Sequence, residues 1–451
     1  MRRRKYLFAV ISALLLAGCT VHPPGEQQER QTALRAGAPF TRPIEQRQVL
    51  PLPANPTAED LVHRALLASS ELEQRYWEWR SAIEQIPQDG TQATNLAVFG
   101  SASVTRSRMS FDKTTLSLGN DPMADIVLPT KLSAAAQRAL ENARAAGLRF
   151  RKAQFELRGK VLSAYADYSL TAELIRLEQS NAQLLQSTVV AVDARNEAGA
   201  AGQQELLKSR NELDLSRNEI SSMQAQLPAQ RAALNALLDR TPDAPIPIPG
   251  RMPEARAVVQ DDGQVLQLVA ERNLELAALA QDVAAHKQSL ALARLQYLPD
   301  FSISVGTDLA GIAQSLAGMV TVPLLRHQAI DAAVAQAEAN LRATQAMRRQ
   351  VRNDLGTQAV MDLSIIRDAD RQLDLFQNTV LPRAEQVVTV GRAAYEAGRS
   401  SLLDLLDAQK SLIAIQRLVA HLRATREQRL DDLEAITGQV LDREHSPTSQ
   451  R

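Results

Sequence analysis

The chain states one pattern twice, and that repetition constrains its fold more than any other feature. Glu197-Ala198-Gly199 precedes a helical stretch containing Leu206 and Leu207, and Glu396-Ala397-Gly398 precedes one containing Leu405 and Leu406, at a constant offset of 199. Upstream, Val127-Leu128-Pro129 corresponds to Thr321-Val322-Pro323 at an offset of 194. Each half therefore reads as helix, short strands, proline, very long helix, glycine turn and returning helix. A unit this long is no solenoid repeat of roughly 20–50 residues. It is a duplicated supersecondary block, which favours a pseudo-symmetric assembly over an enzyme cleft.

Composition supports long helices. Aromatic residues make up only 4% of the 451 residues, which suits thin seams of aliphatic and small side chains rather than ring-filled cores. Lys+Arg and Asp+Glu each number 51. With no net charge and no basic stripe interleaved with aromatics, nothing points to nucleic acid. Residues 1–18 read as a lipoprotein signal peptide: Arg2-Arg3-Arg4-Lys5 is a basic start, Tyr6 to Ala17 a short apolar core, and Leu16-Ala17-Gly18-Cys19 resembles the bacterial lipobox. Cys19, the sole cysteine, is the expected acylation site, and Thr20 in place of Asp after it points by resemblance to the outer membrane. An acyl chain contributes about 0.8 kcal/mol per buried methylene, so Cys19 tethers the chain to lipid without defining a pore.

Residues 19–57, rich in proline and weak in periodicity, read as an extended tether or wrap. Repeat 1 spans 58–240 and repeat 2 spans 262–440, joined by a proline-rich linker at 241–261 and followed by a tail at 441–451. In repeat 1, Thr57 caps a helix expected to reach Ile86, where Pro87, Asp89 and Gly90 should stop it. Strand candidates lie at Leu96–Thr105 and Asp125–Leu128, with a polar stretch from Arg106 to Pro122 between them. In repeat 2, Asp261 or Asp262 opens a helix to about Tyr297. Phe301, Ile303 and Val305 then alternate with Ser302, Ser304 and Gly306, a loop runs from Gly311 to Gly318, and Met319–Val322 returns. Lys131–Arg195 contains no proline, and about 65 helical residues make a rod of roughly 100 Å. The equivalent rod, Leu325–Tyr395, contains Pro382, which should bend it. In the last helix, Leu402, Leu405, Leu412, Val419, Leu430 and Leu433 form a seam interrupted by Gln409, Gln416, Arg423 and Arg426.

Rods of that length must lie side by side, which gathers all four strands at one pole. A four-stranded sheet keeps two open edges, and in a membrane only closure satisfies them. Two copies would give eight strands filled by their own side chains, and three would give twelve with a lumen. The expected fold is therefore mainly α with a small β part, built from duplicated strand-pair and long-helix repeats whose sheet closes only with further copies.

The residues also carry a family resemblance across about 58–440. Tyr395-Glu396-Ala397-Gly398 with Ser401-Leu402-Leu403-Asp404-Leu405-Leu406-Asp407-Ala408-Gln409 resembles the second glycine turn of the TolC-like outer-membrane efflux proteins, and Leu298-Pro299 with Val322-Pro323-Leu324-Leu325 resembles their second strand pair. The resemblance implies a homotrimer whose copies form a trimeric 12-stranded outer-membrane β-barrel continued into the periplasm by an α-helical barrel. It also implies two separate partners, a periplasmic adaptor and an inner-membrane transporter, with the resistance-nodulation-division type favoured. A type I protein-secretion duct is the alternative within that class. A non-pore coiled-coil adaptor or scaffold lipoprotein is the alternative outside it.

A duct works by gating and electrostatic filtering. Asp404 and Asp407 lie three residues apart on one helix face, where threefold repetition would make acidic rings favouring cations; Asp404 also reads as a partner of the Ser401 helix cap. The resemblance implies a closed tip in which Tyr395 and a basic residue link to the repeat-1 turn, where Gln204 and Glu205 stand. Ser400 occupies the expected basic position, which leaves Arg399 one place early. Gly199 and Gly398 are the turn glycines. The histidines at 22, 63, 286, 327, 421 and 445 lack metal-ligand spacing, and no catalytic motif appears. The chain reads as a non-enzyme without a cofactor, and its cargo is not legible.

Overall fold

In the computed structural model, the residues described are 20–47, 51–91, 95–105, 108–119, 128–252, 255–256, 260–308, 314–323 and 325–441. Cys19 and the signal peptide lie outside them. The elements run α1 (Glu26–Ala36), α2 (Ala58–Ala68), α3 (Ser70–Gly90), β1 (Asn95–Thr105), β2 (Arg108–Gly119), α4 (Pro129–Glu197) and α5 (Gln203–Leu237). The second half gives α6 (Asp262–Arg272), α7 (Leu274–Leu295), β3 (Asp300–Asp308), β4 (Gln314–Thr321), α8 (His327–Leu375), a π-helical turn (Phe376–Val380), α9 (Leu381–Glu396) and α10 (Leu402–Thr437). The chain divides into two units: 1–38, 74–150 and 275–351, and 39–73, 151–274 and 352–451.

The first unit holds the sheet. Its order is β1-β2-β3-β4, with every pairing antiparallel. β1 pairs with β2 from Asn95↔Gly119 to Thr105↔Arg108, and a register shift lies between Ser101 and Ala102, a bulge of the kind that increases strand twist. The two halves meet through Thr115↔Asp308 to Gly119↔Ser304. β1 and β4 remain as edges. The second strand of repeat 1 is thus Arg108–Gly119, inside the stretch expected to be a polar loop. That stretch contains Thr114 and Thr115, of a residue type that favours strands, and the apolar Leu116 and Leu118. The expected strand at Asp125–Leu128 falls almost wholly on residues outside the description. β4 begins at Gln314, within the loop expected from Gly311 to Gly318.

The N-terminal segment, expected as an extended tether or wrap, lies against α3 but contains a helix that was not expected. Glu26–Ala36 is helical and is fastened to α3: Trp79 Nε1 donates to Glu29 at 2.9 Å, and Arg30 Nη1 donates to Glu84 at 2.9 Å. Gly37 lies beneath the Tyr76 ring, where an added Cβ would sit 1.9 Å from a ring carbon. Thr20 forms an antiparallel bridge with Thr91. The local signal for this helix is the pair of first-turn acids, Glu26 and Glu29, ahead of Ala33 and Leu34, set among prolines on either side. Arg30 also explains why Pro87 does not end α3. A proline inside a helix frees the carbonyl four residues earlier, and Arg30 Nη2 donates to that carbonyl, Ile83 O, at 3.4 Å.

The second unit shows how faithfully the duplication survives. Thr57 and Asp261 each form a capping box at the start of an 11-residue helix. Those helices end at Ser69 and Asn273, with nearly identical dihedrals (φ −59°, ψ 123° and φ −58°, ψ 124°). The single helices expected to run to Ile86 and Tyr297 are therefore each two. The residues at the breaks use their side chains differently: Ser69 Oγ accepts locally from Leu72 N at 3.3 Å, and Asn273 Nδ2 donates to Ile436 O of α10 at 2.7 Å. Ahead of Pro382 the second rod takes a π-helical turn rather than staying regular. Val265, Val269, Leu363, Ile366, Leu430 and Leu433 form one core of this unit.

Candidate functional site

The second unit also contains both glycine turns. In the first, Gly199 N donates to Asn196 O at 3.0 Å and Ala200 N to Arg195 O at 2.7 Å. In the second, Gly398 N donates to Tyr395 O at 2.9 Å and Arg399 N to Ala394 O at 2.8 Å. These are Schellman caps, in which the residue past the helix end adopts a left-handed conformation. The glycines do so at φ 69° and 72°.

The equal caps place unequal side chains. At the offset of 199, Asn196 corresponds to Tyr395, Gly202 to Ser401, Glu205 to Asp404 and Lys208 to Asp407. Ser401 forms a capping box: its hydroxyl lies 2.7 Å from Asp404 Oδ2 and accepts from Asp404 N at 3.2 Å. These contacts from the Ser401 hydroxyl and backbone hold the Asp404 carboxyl below its usual range. Gly202 has no hydroxyl and makes no side-chain cap. Glu205 instead accepts from the Tyr395 hydroxyl at 3.3 Å. Burial, with the Glu205 charge beside it, pushes the Tyr395 phenol above its usual range.

Tyr395 is 1% exposed in a cluster with Leu185, Val189, Val192, Leu206, Leu402, Leu405 and Leu406. The structure thus brings Tyr395 and Glu205 together. Gln204, Asp404 and Asp407 are exposed, the two acids on the outer side of α10, whose other side supplies Leu402, Leu405 and Leu406 to the cluster. Arg399 is also exposed and does not reach Tyr395. The basic residue that does is Arg195, at the end of α4: its guanidinium carbon stands 4.5 Å from the Tyr395 ring centroid, and its Nη1 donates to Tyr395 O. Arg195 sits three residues before Ala198-Gly199, a last-turn cation of the type that helix ends favour, and that was the signal available in the sequence.

Among the described residues, no cluster of three or more His, Cys, Asp or Glu could hold a metal ion, and no helix is long and apolar enough to cross a membrane. Buried charge is concentrated where the linker meets α10. Arg256 reaches Glu427 at 2.8 Å, Asp431 at 2.5 Å and Glu434 at 3.2 Å. The stretch read only as a stiff connector is therefore pinned at Arg256.

Residues 61–240 and 265–439 match the family model described as outer membrane efflux protein. The chain is 26% identical to the cobalt-zinc-cadmium resistance protein CzcC of Cupriavidus metallidurans over 57% of this chain and 62% of that protein. It is 24% identical to the pyoverdine export outer membrane protein OpmQ of Pseudomonas putida over 66% of this chain and 65% of that one. Each alignment spans less than two thirds of the relative. A crystal structure of CusC superposes with a TM-score of 0.75 at 17% identity, covering 89% of this chain and 97% of that one.

Proposed function

Because the chain belongs to the outer membrane efflux protein family, and so to the outer membrane of the Gram-negative envelope, we propose that it is the exit duct of a tripartite efflux system. Three copies complete a 12-stranded barrel, anchored in lipid through acylated Cys19 and continued into the periplasm by the paired helices. The observation that carries this reading is the four-stranded antiparallel sheet with β1 and β4 left as edges. Unpaired strand edges are tolerated in lipid only when closed, and twelve strands leave a lumen. The domain limits follow the repeat: 58–240 and 262–440 each supply a strand pair and a helical hairpin to this assembly.

A separate periplasmic adaptor and an inner-membrane transporter of the resistance-nodulation-division type would feed the duct, with gating at the glycine turns. Gly199 and Gly398 set those turns, while Tyr395 and Glu205 supply the link between them. Gln204 sits beside that link. Asp404 and Asp407, exposed and acidic, suit passage of cations over anions. The relatives' names, cobalt-zinc-cadmium resistance for CzcC and pyoverdine export for OpmQ, point to widely different compounds, which fits cargo selection by the transporter. Such a role makes or breaks no covalent bond and needs no cofactor.

Purified protein tests this directly. Outer-membrane fractions should yield a heat-modifiable trimer that passes ions in planar bilayers. A monomer that fractionates with the inner membrane and carries no current would refute the duct and support a lipid-anchored adaptor.

A further inference from the structure

The structure assigns to Arg195 the part of clasp between the two glycine turns, a role that rests on the duct reading above. Arg195 projects from the last turn of α4. Its Nη1 donates to Tyr395 O in the last turn of α9, and its Nη2 donates at 3.3 Å to Ala200 O, just past the end of α4. One guanidinium thus binds carbonyls belonging to both hairpins. Both α4 and α9 terminate here, and the carbonyls of a helix C-terminus carry a partial negative charge. A cation between two such ends neutralises both, and the planar fork reaches two acceptors as a lysine cannot.

The third contact fixes the clasp in place. The guanidinium lies over the buried Tyr395 ring at 4.5 Å from its centroid. Tyr395 is therefore held at three points, its ring and carbonyl by Arg195 and its hydroxyl by Glu205. All three holding atoms come from the repeat-1 hairpin. Arg399, the basic residue of the second turn, contributes its backbone N–H to the local cap at 2.8 Å from Ala394 O while its side chain faces outward. Arg195 is accordingly a positioning residue: it keeps the α9–α10 hairpin against the α4–α5 hairpin, and the duct opens when that hold is lost.

Conductance of the full-length trimer in planar bilayers tests this across Arg195→Ala, Arg195→Lys, Arg399→Ala and Tyr395→Phe. Loss of a charged hydrogen bond and a cation–π contact should raise the mean current about tenfold in Arg195→Ala. Arg195→Lys should be intermediate because it keeps the charge and loses the fork. Tyr395→Phe, which keeps ring and carbonyl, should fall below Arg195→Ala, and Arg399→Ala should match wild type. A conducting, trimeric Arg195→Ala at wild-type current overturns the assignment, as does opening by Arg399→Ala instead. If Arg195→Ala fails to assemble, an unchanged current in Arg195→Lys overturns it. Absence of current from wild type and every variant refutes the duct reading, and the clasp with it.

Discussion

Replacing Arg256 by alanine should destabilise the second unit more than any other single surface-to-linker change. In the native protein this guanidinium faces three carboxylates, and the Asp431 and Glu434 side chains are 3% and 2% exposed. Glu434 has other partners, since Arg158 Nη1 and Leu441 N also donate to it. Asp431 has only Arg256 among its described side-chain hydrogen-bond donors. Burial works against the Arg256 charge, but the charges of Glu434, Asp431 and Glu427 outweigh it and hold the guanidinium protonated. Burial raises the Asp431 carboxyl from 3.8 to about 7. A raised carboxyl pKa means that the native state binds its proton more tightly than the unfolded chain, so this site's contribution declines as pH rises from 3.8 to about 7. Removing one partner of a buried ion pair costs about 3–5 kcal/mol, which corresponds to a fall of about 10 °C in melting midpoint for a unit of this size. Without the cation, the carboxylates gain still more from protonation, so the deficit should shrink near pH 5 and widen near pH 8. Arg256→Ala combined with Asp431→Asn should recover part of the loss, because the amide needs no counter-charge. Thermal melts followed by far-ultraviolet circular dichroism read all of this. A midpoint within about 2 °C of wild type at alkaline pH would refute the argument.

Further perturbations follow from local geometry. Gly199→Ala should lose about 1–2 kcal/mol by thermal melt because of its left-handed backbone alone, since nothing lies within 4 Å of the added carbon; Gly199→Asn should lose less. Gly37→Ala and Gly147→Ala would place a methyl 1.9 Å from Tyr76 and 2.7 Å from Trp79. Both should loosen the N-terminal segment, seen as faster proteolysis within residues 20–47, and equal protection would contradict the packing described. Ser401→Ala should let the Asp404 pKa return towards its ordinary value. A depressed carboxylate keeps its charge, and the stability that charge confers, until pH falls through the folded value, so cation preference in reversal-potential measurements should fade at higher pH in Ser401→Ala than in wild type. Asp404→Asn with Asp407→Asn should reduce that preference at neutral pH.

Much of this fold is legible in the chain because its strongest determinants are local. Gly199 and Gly398, each followed by an acid three residues past the next helix's N-cap, mark turns that only a left-handed residue can make. The proline-free run after Lys131 marks α4. What escaped was set by tertiary partners. Pro87 stays inside α3 because Arg30, more than fifty residues away, takes the carbonyl it frees. Arg256 inside a proline-rich linker gives no local sign that three acids of α10 await it. At the two helix breaks, Ser69 caps the next turn through Leu72 N, a local signal, whereas Asn273 reaches Ile436 O of α10, which no nearby residue announces.

The turn site shows most clearly why sequence reasoning stops short. The repeat predicts that Glu205 and Asp404 should behave alike, because both occupy the third position of a helix after a glycine turn. They do not, and the difference traces to a single hydroxyl. Ser401 engages Asp404 in a cap and keeps it pointed at its own backbone; Gly202 offers nothing, so Glu205 is free to accept from Tyr395. Divergence at one capping residue thus turned two equivalent acids into a local cap and a bridge between hairpins. The same logic moves the basic residue: Arg195, in the last turn of its own helix, reaches across to Tyr395, while Arg399, nearer to it in the chain, follows the left-handed Gly398 and is exposed. Gly202→Ser should therefore restore the missing cap, draw Glu205 away from Tyr395 and weaken the bridge while strengthening the helix start, a rise in conductance at unchanged or higher melting temperature. A rise in melting temperature with no change in current would show that the Glu205 link plays no part in holding the turns together.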